Sequence, residues 1–210
     1  MKQPLRLNNH VVAAALVACA LACATQPLAA QTPGMQTPGI QAPGSLTRVA
    51  DGGVDIDRLL ADLARPDQER WQRIERQIIR EWSRSGSPTV DFLFQRGQVA
   101  LRAGQPRAAI AHFSAALDHA PDFAEGYNAR ATAYFMDDRL GQSMADIEQV
   151  LALNPQHFGA LSGLGMILEQ VDRLEEARAA YQAAHALNPH RPSLREALDR
   201  LELALGGRAL

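Results

Sequence analysis

Six histidines, two cysteines and an aspartate doublet are the side chains of this 210-residue sequence best suited to hold a metal, attack a substrate or carry a proton. Their spacing does not assemble such a site. His112 and His119 are seven residues apart. On a helix that puts them on one face but two turns apart, whereas a shared metal ion needs i, i+3 or i, i+4. Asp137 and Asp138 read as a turn pair capping the helix that begins near Leu140. Cys19 and Cys23 both lie in an apolar N-terminal stretch. The chain holds no GxSxG nucleophile elbow, no glycine-rich phosphate loop and no HExxH. We therefore expect no catalytic residue, no metal and no cofactor. A formal net charge of −2 gives no broad field for nucleic acid.

The N-terminus reads as an export signal over residues 1–30. Lys2 and Arg6 precede an apolar core over 11–24 that is too short to span a bilayer. Leu28, Ala29 and Ala30 form a small-residue exit, with cleavage expected after Ala30. That makes the chain an exported protein of a Gram-negative periplasm. The alternative is an envelope lipoprotein. Leu16-Val17-Ala18-Cys19 resembles a lipobox, and lipid on Cys19 would be the protein's one tie to a membrane. Residues 31–54 read as a linker. They begin QTPGM, QTPGI, QAPGS, a five-residue unit repeated with Pro-Gly in each copy and no means of building an apolar face.

The elements that could position a site begin at Asp55. Ile56, Leu59, Leu60 and Leu63 recur at helical spacing, and Pro66 stops that helix. A second helix carries Trp71, Ile74, Ile78 and Trp82 on one face and Arg73, Arg76, Arg80 and Arg84 opposite, until Gly86. The arginine face reads as a solvated, partly paired surface. This hairpin, residues 55–89, is expected to cap the N-terminal end of the helical region that starts at Val90.

From Val90 a strict period appears. Pro121, Pro155 and Pro189 lie 34 residues apart. They divide the chain into units 90–123, 124–157 and 158–191 that align position by position. Position 4 is large: Leu93, Tyr127, Leu161. Position 8 is small: Gly97, Ala131, Gly165. Position 20 is small: Ala109, Ser143, Ala177. Position 24 is large: Phe113, Ile147, Tyr181. Small residues at 8 and 20 let two helices cross closely, and large ones fill the gap to the next unit. In length and pattern these units resemble the tetratricopeptide repeat family. Arg96 and Arg130 depart from it at position 7, and Gly126, Gly159 and Gly163 are expected to loosen their helices. Leu194, Leu198, Leu201 and Leu205 then give 192–210 the look of a capping helix and tail. The fold class expected is all-α, an α-solenoid of three such units between an N-terminal hairpin and a C-terminal cap.

The resemblance implies a function. In this family the first helices of the units line a concave groove through positions 2, 5, 9, 12 and 13. Here those positions put Asp91, Phe94, Gln98, Leu101 and Arg102 in the groove from the first unit. The second unit contributes Glu125, Asn128, Thr132, Phe135 and Met136, and the third Gly159, Ser162, Met166, Glu169 and Gln170. The lysine-containing clamp with which some members hold a C-terminal carboxylate is missing, so that mode is not expected. The resemblance implies a non-catalytic scaffold whose partner is a peptide or protein of unspecified identity. The alternative is a self-associating structural subunit of an envelope complex; the sequence leaves the oligomeric state open.

Overall fold

The computed structural model describes residues 54–208. The expected signal segment, Cys19 and all of the Pro-Gly linker except Val54 lie outside the described residues. Nine α-helices and no strand occur among those described: α1 Ile56–Leu63, α2 Trp71–Trp82, α3 Pro88–Arg102, α4 Pro106–His119, α5 Ala124–Met136, α6 Leu140–Leu153, α7 Phe158–Gln170, α8 Leu174–Leu187 and α9 Pro192–Arg208. None is long and apolar enough to cross a membrane.

α3/α4, α5/α6 and α7/α8 are three helix–turn–helix units. Each pair crosses where a small residue meets a large one. A Cβ at Gly97 would stand 2.4 Å from Phe113, and one at Gly165 would stand 2.7 Å from Tyr181. No real Cβ sits that close, so an aromatic residue at position 24 demands glycine at position 8. The middle unit carries Ile147 instead, and there Ala131 fits in the core beside it. In that unit Ser143 at position 20 is buried and donates to the Ala131 carbonyl at 2.8 Å. A hydroxyl thus enters the core with its hydrogen bond satisfied.

The turn between the two helices of each unit needs one residue in the left-handed region. It is Gly104 (φ +68°), Asp138 (φ 56°) and Asp172 (φ 62°), all at position 15. This corrects the expectation for Asp137 and Asp138. Asp138 makes the turn, Asp137 accepts from Arg107 Nε at 3.1 Å, and α6 starts from Arg139 without a side-chain cap. Arg130, an odd residue for position 7, is held by a bidentate pair with Asp146 at 2.8 Å for both bonds and by a third bond to Ser114. The Asp146 hydrogen bonds hold its guanidinium pKa above the ordinary value despite desolvation.

The N-terminal hairpin does not cap the first unit. It lies along the edge where each unit turns into the next. Leu60, Leu63 and Ile78 form one cluster with Phe158, the first residue of α7, and with Leu187 at the end of α8. Trp82 stacks on His157 with centroids 4.4 Å apart, and Trp71 on His190 at 5.7 Å. Arg191 donates to Glu75 at 2.6 Å, and the His190 ring lies 2.9 Å from the Arg65 carbonyl. A helix rises about 1.5 Å per residue, so the eleven-residue span from Trp71 to Trp82 covers about 17 Å, enough to bridge two inter-unit turns. The C-terminal cap is as expected in kind. Leu194, Ala197 and Leu201 of α9 are buried against Leu168, Tyr181 and Ala184.

Candidate functional site: a notch between α5 and α7

α5 and α7 are the first helices of neighbouring units, and a cavity of about 90 Å³ opens between them. Its floor is Ala131, Ser143, Ile147 and Ile167. Its walls are Asn128, Thr132 and Phe135 from α5 and Met166 from α7. Gly159 and Gly163, one turn apart on α7, contribute bare backbone. A Cβ at Gly163 would meet Ile147 Cδ1 at 3.3 Å, so a side chain there would fill the notch. The glycines expected to loosen α7 are what keep this space open.

The mouth is held by a chain of polar contacts. The His157 Nδ1 accepts from the Ala160 N–H at 3.0 Å, so the side chain caps α7. The proton therefore sits on Nε2, which donates to Glu125 Oε2 at 2.9 Å. The same Glu125 oxygen accepts from Asn128 Nδ2 at 3.3 Å, and Thr132 Oγ1 donates to the Asn128 carbonyl at 3.0 Å. His157 is 2% exposed and covered by the Trp82 ring. The groove rim is thereby tied to the hairpin on the other side of the turn.

The expected groove residues divide. Asn128, Thr132, Phe135, Gly159 and Met166 line the notch and Glu125 braces it, while Asp91, Met136, Ser162, Glu169 and Gln170 do not line it. Phe94 does not reach a groove. It is 3% exposed and packs on Phe113 at 5.5 Å and Phe123 at 5.1 Å, an aromatic cluster that fills the core of the first unit. Leu101 packs against that same core, Gln98 is half-buried, and Arg102 is exposed on the last turn of α3; none of the three lines the notch. Gly163 and the floor residues were not anticipated. A pair of glycines one helical turn apart on a groove-lining helix is the signal that marks them. Among the described residues, no three histidine, cysteine or acidic side chains are grouped to hold a metal ion.

Paired helices stacked in register with an open groove between their first helices define a repeat-solenoid interaction fold. Two tetratricopeptide repeat models match the chain, over residues 94–146 and 158–191. A TPR repeat-containing protein of Rhizobium etli is 33% identical over 153 residues, covering 72% of this chain and 75% of its own length. The chain belongs to the tetratricopeptide repeat family. Among solved structures, the first TPR domain of Spaghetti, bound to an HSP90 peptide, is 25% identical with a TM-score of 0.55, over 57% of this chain and 95% of that one. MamA aligns over 67% of this chain and 84% of its own at 21% identity and a TM-score of 0.54, a likeness of fold. Proteins of this fold bind peptides and mediate protein–protein interaction.

Proposed function

We propose that this chain is a non-catalytic interaction module of the bacterial cell envelope, and that the notch between α5 and α7 seats one apolar side chain of a partner peptide. The observation that carries this reading is the bare α7 backbone at Gly159 and Gly163, facing Asn128 and Thr132 and flanked by Phe135 and Met166. At about 90 Å³ the space is well below the roughly 300–1,000 Å³ of small-molecule sites. It has the size of one aliphatic side chain. The rim offers an amide and a hydroxyl for the peptide backbone, as groove recognition of a peptide requires. The N-terminal pattern of charge, apolar core and Ala-Ala exit supports export, and the intact mass of the mature protein tests it.

The binding test begins with peptides selected from a random displayed library on the purified chain. Their affinity is then measured by fluorescence polarisation for the parent and for Met166→Asp, an exposed position. We expect selected peptides to share one aliphatic anchor and to bind Met166→Asp at least tenfold more weakly. Unchanged affinity would remove the notch as the site.

A further inference from the structure

The first unit presents an interface that the other units bury. Positions 3 and 10 of each first helix pack on the preceding unit. In α5 these are Gly126 and Ala133, in α7 Ala160 and Ile167, and in α9 Leu194 and Leu201; all six are buried. In α3 they are Phe92 and Val99, which are 60% and 52% exposed. Arg96 and Arg102 are exposed on the same helix and have no ion-pair partner among the described residues. The helix's single acid, Asp91, is occupied in accepting from Ser85 N and Oγ. This face is apolar with a basic border.

The other end of the stack has the opposite character. The outer side of α9 carries exposed Glu196, Asp199 and Glu202, and among the side chains described there Arg195 is the one basic residue outside the Arg200–Glu169 pair. Leu203 stands among them at 81% exposure. Asp199 and Glu202 have no ion-pair partner among the described residues.

We infer that a second copy of this chain covers the α3 face, docking its α9 there so that the solenoids join head to tail. Charge decides the occupant and the geometry. A symmetric pairing of two α3 faces would bring Arg96 and Arg102 against their own copies with no carboxylate between them. Like charges at an interface oppose such a pairing. The α9 face of another copy supplies three carboxylates for the two arginines and Leu203 for Phe92 and Val99. A head-to-tail contact uses a different surface on each copy and leaves both ends open, so it propagates rather than closing. It uses neither the notch nor the peptide.

The test is light scattering of the purified chain over a dilution series, with two surface variants. One is Phe92→Asp; the other is Asp199→Arg combined with Glu202→Arg. All three positions are exposed, and far-UV circular dichroism verifies the folds. The parent is expected to gain mass with concentration beyond a dimer without a plateau, less so in high salt. Each variant alone is expected to stay monomeric, and an equimolar mixture to stop at a one-to-one dimer, because only one compatible pair of faces remains. A parent that stays monomeric at every concentration overturns the inference. So does a dimer that persists in the α9 variant, or a mixture that fails to associate. Peptide affinity at the notch is expected to be unchanged in both variants, so the two readings fail separately.

Discussion

Trp82 lies flat on His157, its ring 4.4 Å from the imidazole and tilted by 23°. The histidine below it caps α7 and holds Glu125, and Glu125 holds Asn128 at the groove. The contact joins the N-terminal hairpin to the notch through three side chains. Trp82→Ala is expected to cost roughly 2–3 kcal/mol, less than full burial of a tryptophan would imply, since Trp82 is only partly covered. Chemical denaturation measures that loss. Peptide affinity at the notch should fall with it, while Arg80→Ala, on the outer side of α2, should leave both unchanged.

Position 8 is set by position 24. Gly165→Ala forces a methyl into the Tyr181 ring and is expected to destabilise the chain by about 1–3 kcal/mol, the usual range for overpacking. Adding Tyr181→Ile recreates the pairing of Ala131 with Ile147 and should recover most of the loss. If the double variant is as unstable as the sum of the two single ones, the two positions are not coupled.

The left-handed turn residues predict opposite signs for opposite changes. Gly104→Ala places a Cβ at φ +68° and should cost about 1 kcal/mol. Asp138→Gly removes that strain and should be neutral or slightly stabilising. Thermal melts of the two variants decide it; a neutral Gly104→Ala would show that the turn relaxes.

Glu169 ties α7 to α9. Its carboxyl is held below the usual carboxylate range, first by the hydrogen bonds from Arg200 at 2.9 and 3.0 Å, against the effect of burial. A carboxyl whose pKa is lowered by folding adds stability above its unfolded pKa of about 4.3, and that stability is lost as pH falls through the folded value. Glu169→Gln should therefore lower stability at neutral pH, by about 1 kcal/mol or less because Arg200 is 57% exposed. The gap to the parent should close in acid. Parallel stability curves across the whole pH range would show that the pair contributes nothing.

The periodic part of the fold was legible because each unit repeats the same local problem. Pro121, Pro155 and Pro189 mark the ends of the second helices, and the small–large alternation at positions 8 and 24 marks their crossing. Half of the notch was legible for the same reason, since Asn128, Thr132, Phe135, Gly159 and Met166 occupy repeat positions whose direction the register sets. Phe94 failed because register gives a direction and not an occupancy. A phenyl ring at that position can turn inward, and Phe113 and Phe123 offer it a cluster in which to bury its area. The hairpin failed for a different reason. Its partners Phe158, His190 and Arg191 lie about a hundred residues away, and helical periodicity carries no information about which distant surface an apolar face will cover. Glu75 lies on the flank of that apolar stripe, and only the fold shows it buried and met by the distant Arg191.

That distant partnership bears on how the protein is made. Solenoid units contact only their neighbours, so each could fold as soon as it leaves the ribosome. The hairpin cannot. Trp71 emerges 120 residues before Arg191, and at roughly 5–20 residues per second that is a wait of about 6–24 s before this end of the hairpin is covered, while Trp82 waits only until His157 and Phe158 emerge. The first segment of the folded region to be synthesised is thus completed only when Arg191, just before α9, is available. For that interval its apolar face is open to any holdase or export factor that reads exposed aromatic residues.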